Sequence, residues 1–79
     1  MTNIDKMKLA DKSNYVLSKV VKKATKEKAQ ILYIGINHFD FSFIVAVKIA
    51  GLQIEYGYNG TDKIIITCNG SIIDEIIEE

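Results

Sequence analysis

Two side chains in this 79-residue chain are reactive near neutral pH: a single histidine, His38, and a single cysteine, Cys68. His38 stands in INHFDFSF, residues 36–43, with Asp40 beside it. A Cys-His-Asp hydrolase would use the cysteine as nucleophile, the histidine as its base and the aspartate to orient the ring. That requires Cys68 within hydrogen-bond reach of His38. The plainer account is a hairpin bend, because Asn, His and Asp tolerate turn geometry and bond nearby backbone. Cys68 falls in line with Ile64 and Ile66 in an alternating run, where a free cysteine acts as a small inward-facing hydrophobe. The reading is therefore a bend, with no catalytic residue. One His and one Cys cannot complete a four-ligand zinc site, and a lone cysteine forms no internal disulfide. No metal or cofactor is expected.

Two further motifs invite a ligand. Asn59-Gly60-Thr61-Asp62 could cradle an anion, yet it lacks the strand-loop-helix context and the lysine of a phosphate loop, and reads as a hairpin. Tyr33, Tyr56 and Tyr58 could stack on a base or small ligand, although tyrosine is commonplace in strands. Small-ligand binding by these tyrosines is the third-ranked function.

The elements that would position these residues are set by periodicity. TNID matches a capping box with Thr2 as N-cap and Asp5 three positions on. Leu9, Val16, Leu17, Val20, Val21 and Ala24 then recur on one helical face. DKSN interrupts that face with Ser13, so the expectation is a short first turn before about residue 11 and a firm helix from about 13 to 28. After Gln30 the period becomes two. Four strands are expected: one through ILYIGIN, one through FDFSFIVAVKIA with Phe39, Phe41, Phe43, Val45, Val47 and Ile49 inward, one through LQIEYGY and one through KIIITCN. Ala50-Gly51 and Asn59-Gly60 are short hairpin links. The final SIIDEIIEE pairs Ser71 with Asp74 as a second capping box and repeats isoleucine at i, i+1, i+4 and i+5. It reads as a short C-terminal helix, its rival a fifth strand, since isoleucine favours strands. The fold class is α+β: one domain over residues 1–79, an N-terminal amphipathic helix packed on a four-stranded antiparallel β-meander, then the short helix.

Composition narrows the function. The chain is 48% hydrophobic and 25% charged, which is globular composition. Runs such as FIVAV are much shorter than the roughly 20 residues of a membrane helix, and the N-terminus has no signal-peptide core. A lone thiol suits a reducing compartment. The expected location is cytoplasmic, with no membrane partner. A domain this small buries only about 60% of its unfolded surface, so oligomerisation is the open route to stability.

The neutral net charge conceals a separation. Residues 1–28 hold eight lysines against Asp5, Asp11 and Glu27, a net +5; residues 29–79 hold two lysines against seven carboxylates, a net −5. Lys8, Lys12, Lys19, Lys22, Lys23 and Lys26 cluster on a helical wheel with Tyr15 among them, a basic face that could meet nucleic acid or simply be solvated. All ten basic residues are lysine, which removes the planar fork suited to phosphate and guanine. Asp74, Glu75, Glu78 and Glu79 make an acidic end. The second sheet face should be polar if solvated, yet Ile31, Tyr33, Ile44, Ala46 and Ile65 point that way. A contiguous apolar patch implies a partner, and symmetric dimers are the commonest oligomers. The expectation is a non-catalytic protein-binding module, a homodimer, acting as an inhibitor or modulator of a larger machine in the manner of phage and mobile-element accessory proteins. Nucleic-acid binding through the lysine face ranks second.

Overall fold

The computed structural model describes residues 3–78, with side chains from Lys8 onward. Helix α1 spans Asn3–Lys26 and is followed by five strands: β1 Gln30–Ile36, β2 Phe43–Ile49, β3 Leu52–Tyr58, β4 Lys63–Cys68 and β5 Ser71–Ile77. They form one sheet in the order β1-β2-β3-β4-β5, every pair antiparallel. The α+β class and the meander agree with expectation; the strand count and the C-terminal helix do not. No described helix is long and apolar enough to cross a membrane.

The helix is continuous where a break at Ser13 was expected. Ser13 lies in its buried face, and its hydroxyl donates to the Phe41 carbonyl at 2.7 Å, so the polar group is satisfied without ending the helix. The Thr2 cap lies outside the described residues. At the other end Lys28 adopts φ +58, the Ala29 amide donates to the Ala24 carbonyl at 2.9 Å and the Lys28 amide to Thr25 at 3.1 Å. This is a Schellman stop with lysine in the position glycine usually takes. It ends the helix at Lys26 and turns the chain directly into β1.

The C-terminal helix expectation is overturned by a turn and a bulge. Asn69 and Gly70 both have positive φ, +53 and +82, the geometry of a type I′ hairpin. They join Cys68 to its cross-strand partner Ser71. In β5 the register slips once: Ile66 pairs with Asp74 and Thr67 with Ile72, leaving Ile73 as the extra residue. One inserted residue breaks a period of two, and the isoleucines at 72, 73, 76 and 77 then mimic a helical repeat.

The core lies between α1 and one face of the sheet. Val16, Val20 and Ala24, spaced four apart, meet Phe43, Val45 and Val47 of β2, Tyr56 and Tyr58 of β3 and Ile64 and Ile66 of β4. Phe43 and Tyr58 pack with ring centroids 5.1 Å apart. The Tyr58 hydroxyl is buried and has no hydrogen-bond partner among the described residues. Burial, then the negative charges of Glu78 and Asp62, raise its pKa. Tyr58→Phe removes an unsatisfied polar group and keeps the ring, so stability should hold or rise by up to about 1 kcal/mol. Chemical denaturation measures this; a loss above that size would mean the hydroxyl has a partner.

Candidate functional site

The residues that line an open concavity come from the end of the sheet where the β1–β2 and β3–β4 loops meet. The β1–β2 loop, residues 37–42, is built by its own side chains. Asn37 Oδ1 accepts from the Phe39 amide at 2.8 Å, and Asp40 Oδ1 accepts from the Ser42 amide at 2.9 Å and its hydroxyl at 2.6 Å. The Ser42 hydroxyl bond leads, and its amide bond comes second, in holding the Asp40 carboxyl below the ordinary range. Phe41 takes φ +59. These local bonds win over strand formation, so β2 starts at Phe43. Phe39, read from the sequence as the first inward residue of that strand, is instead 95% exposed at the loop tip.

The β3–β4 loop is likewise closed on itself. Asn59 Oδ1 accepts from the amides of Thr61, Asp62 and Lys63 at 2.9–3.1 Å. Those donors are occupied within the loop, which joins antiparallel β3 and β4 as a hairpin. Of its residues only Gly60 has positive φ, +90, so the link is a side-chain-capped loop and not a two-residue Asn-Gly turn. The Asn59 side chain is also the leading cause of the lowered pKa of Asp62.

His38 and Cys68 are not brought together. His38 lies in the loop beyond Ile36, whereas Cys68 pairs with Ile54 at the far end of the sheet. Four residues of strand separate those ends, about 13 Å at 3.3 Å per residue. Ser42 bonds Asp40 directly and no hydrogen bond reaches the His38 ring among the described residues; the base therefore does not sit between nucleophile and carboxylate as a triad requires. The described residues contain no group of three or more potential metal ligands.

The face of the sheet turned away from α1 holds most of the expected partner surface. Ile44 is 39% exposed and Ile65 half-buried, on either side of Gly57 in the register Gly35–Ile44–Gly57–Ile65. Tyr33 is exposed there and donates its hydroxyl to Glu55 at 3.1 Å; that bond is the first cause of its raised pKa. Tyr33 and Glu55 are the two register neighbours of Ala46, which is wholly buried. Ala46 therefore supports this face and offers no surface of its own. Ile31 leaves the face altogether: a bulge at Leu32 pairs it with core-lining Val47. Tyr56 and Tyr58 are buried against the helix, so the three strand tyrosines share no surface.

Between these elements lies an open concavity of about 780 Å³, walled by Gly35, Ile44 and Gly57 on the sheet and by His38, Phe39 and Ser42 of the loop. The two glycines create it, because neither places a side chain on this face. A Cβ at Gly57 would make ordinary contact with Ile44 and Ile65, and one at Gly35 would meet nothing within 4 Å. Sequence reasoning missed Phe39, Gly35 and Gly57. The signals were the Asn37, Asp40 and Ser42 turn-formers and a glycine at an outward position in each of two strands.

The charged surfaces are partly spent inside the fold. Lys19 bonds both carboxylate oxygens of Glu78 at 3.0 Å, and Lys12 donates to the Glu78 carbonyl at 3.3 Å. Lys23 lies 5.8 Å from the Tyr56 ring centre and Lys19 5.6 Å from that of Tyr15. Lys8, Lys22 and Lys26 remain exposed along the helix. The acidic end is not one patch. Asp74 is paired with core-side Ile66, Glu75 bonds Lys63 at 2.7 Å, and Glu78 is clasped by the helix; Glu79 lies outside the described residues. Comparison with known proteins finds no matching family model, no similar curated protein and no similar solved structure.

Proposed function

We propose that the chain is a non-catalytic protein-binding module, a cytoplasmic inhibitor or modulator of a larger macromolecular machine of the phage or mobile-element accessory type, and that it works as a homodimer. One observation carries the reading: an open apolar concavity beside a phenylalanine that is 95% exposed. A phenylalanine held in water by a loop braced through Asn37 and Asp40 is an unfavourable arrangement for an isolated chain. It is the usual form of an interface anchor, and the adjoining concavity suits an apolar side chain from the other protein. The open shape favours a macromolecule over a small ligand, which needs a site enclosing most of its surface. Separation of His38 from Cys68 supports a function without catalysis, and a lone thiol supports the cytoplasm.

The second reading, nucleic-acid binding, draws on exposed Lys8, Lys22 and Lys26 along one helix. It is weakened by the Lys19–Glu78 pair beside them and by the absence of arginine. Affinity capture from the source cells tests both, with wild type run against Ile44→Glu. A carboxylate in an apolar contact is costly to desolvate, so the captured protein should be lost with the variant. Equal retention by both, or nucleic acid recovered in place of protein, would overturn the proposal.

A further inference from the structure

Strand β1 is an open edge of the sheet, and all seven of its residues, QILYIGI, are exposed. None is charged and none is proline, and the one edge protection present, the bulge at Leu32, leaves Tyr33–Ile36 in regular register. The buried cluster under α1 draws its strand residues from β2, β3 and β4 and none from β1. Ile34 and Ile36 therefore stay 43% and 41% exposed although they pair with the core residues Val45 and Phe43. The opposite edge, β5, carries Asp74 and Glu75, and pairing it with its own copy would bring like charges together.

The backbone of β1 fixes how a second strand can dock. The Asn37 amide donates to the Ser42 carbonyl at 2.8 Å, and the register continues through Ile36 with Phe43, Gly35 with Ile44 and Ile34 with Val45. Bonding direction alternates along an antiparallel strand. Gly35 and Tyr33 thus turn their backbone groups toward β2, and Ile34 and Ile36 present theirs to the open edge. Residues opposite one another must share a sheet face, which places a two-fold axis on a residue and not between two.

We infer that β1 pairs antiparallel with β1 of a second copy about a two-fold axis at Ile34, the inference resting on the homodimer part of the proposed function. This axis lets the two Ile34 residues exchange N–H and C=O bonds. On the outer face it sets Tyr33 opposite the partner's Gly35. Tyr33 leans across β2 to Glu55 and Gly35 has no side chain, so nothing there obstructs approach. The paired span Leu32–Ile36 contains no lysine or carboxylate, so no charge opposes its like. On the helix side Ile34 and Ile36 gain apolar cover. The product is a ten-stranded sheet with both helices on one face and both concavities on the other.

Sedimentation at tens of micromolar should give twice the 8.9 kDa chain mass, and Ile34→Lys, which sets two charges at the axis, should return it to one. A measurement on the wild type covers the case in which that variant fails to fold. Raising concentration through the dimer transition should slow hydrogen exchange at the Ile34 and Ile36 amides at least about tenfold, since pairing protects them. A monomer at these concentrations, open-ended polymers, or a dimer whose Ile34 and Ile36 amides exchange unslowed would overturn the inference. A monomer would remove the homodimer part of the proposed function as well, a dimer whose amides exchange unslowed would overturn the β1 pairing alone, and neither result bears on capture by the outer face.

Discussion

Gly60→Ala should lower stability by about 2–4 kcal/mol, the range for a left-handed outlier combined with a backbone overlap. Gly60 is buried with φ +90, and an added Cβ would overlap the Asp40 carbonyl oxygen and approach the Ser42 amide nitrogen to 3.2 Å. Both obstacles are main-chain atoms of a loop pinned by Asn37, Asp40 and Ser13. They cannot rotate aside as a side chain would. For a domain of this size the change amounts to a fall in Tm of about 10–25 °C. An unchanged Tm would contradict the close approach of the two loops. The same end of the sheet should loosen in acid. Asp40 and Asp62 both have lowered pKa values, so their contribution is full above the unfolded carboxylate range near pH 4 and fades as pH falls through the lower folded values.

Phe43→Ala and Phe39→Ala make the same chemical change four residues apart and should differ sharply. Phe43 is 4% exposed and packs on Tyr58; its truncation leaves a cavity and should cost about 3–5 kcal/mol. Phe39 at 95% exposure has almost no burial to lose, and its truncation should change stability by no more than about 0.5 kcal/mol. Thermal or denaturant unfolding of both variants measures the contrast. Comparable losses would mean that Phe39 packs within the fold and serves no partner.

The fold is legible in the sequence wherever local and tertiary signals agree. The alternation through FIVAVKI and LQIEYGY, with Ala50-Gly51 between them, specifies β2 and β3 because the burial period and the turn chemistry coincide there. The apolar helix positions 16, 20 and 24 are legible for the same reason. Where the two signals part, periodicity misleads. The extra residues Leu32 and Ile73 each reverse the alternation across a bulge, so Ile31 reads onto the wrong side and β5 resembles a helix. Ser13 reads as a break because its partner, the Phe41 carbonyl, lies 28 residues away. Phe39 reads as inward because alternation alone cannot reveal that Asn37 and Asp40 bind the backbone first. The concavity is hidden because Gly35 and Gly57 come to flank Ile44 only once the three strands pair.

The central claim is that the outer sheet face and the Phe39 loop form a protein-binding surface. Its most direct test is the affinity of the captured protein for Phe39→Ala, measured by calorimetry beside wild type, with unfolding of the variant recorded in parallel. An anchor residue contributes at least about 2 kcal/mol to binding, roughly thirtyfold in affinity. The account predicts a loss of that size with stability unchanged; an affinity equal to that of wild type would contradict it.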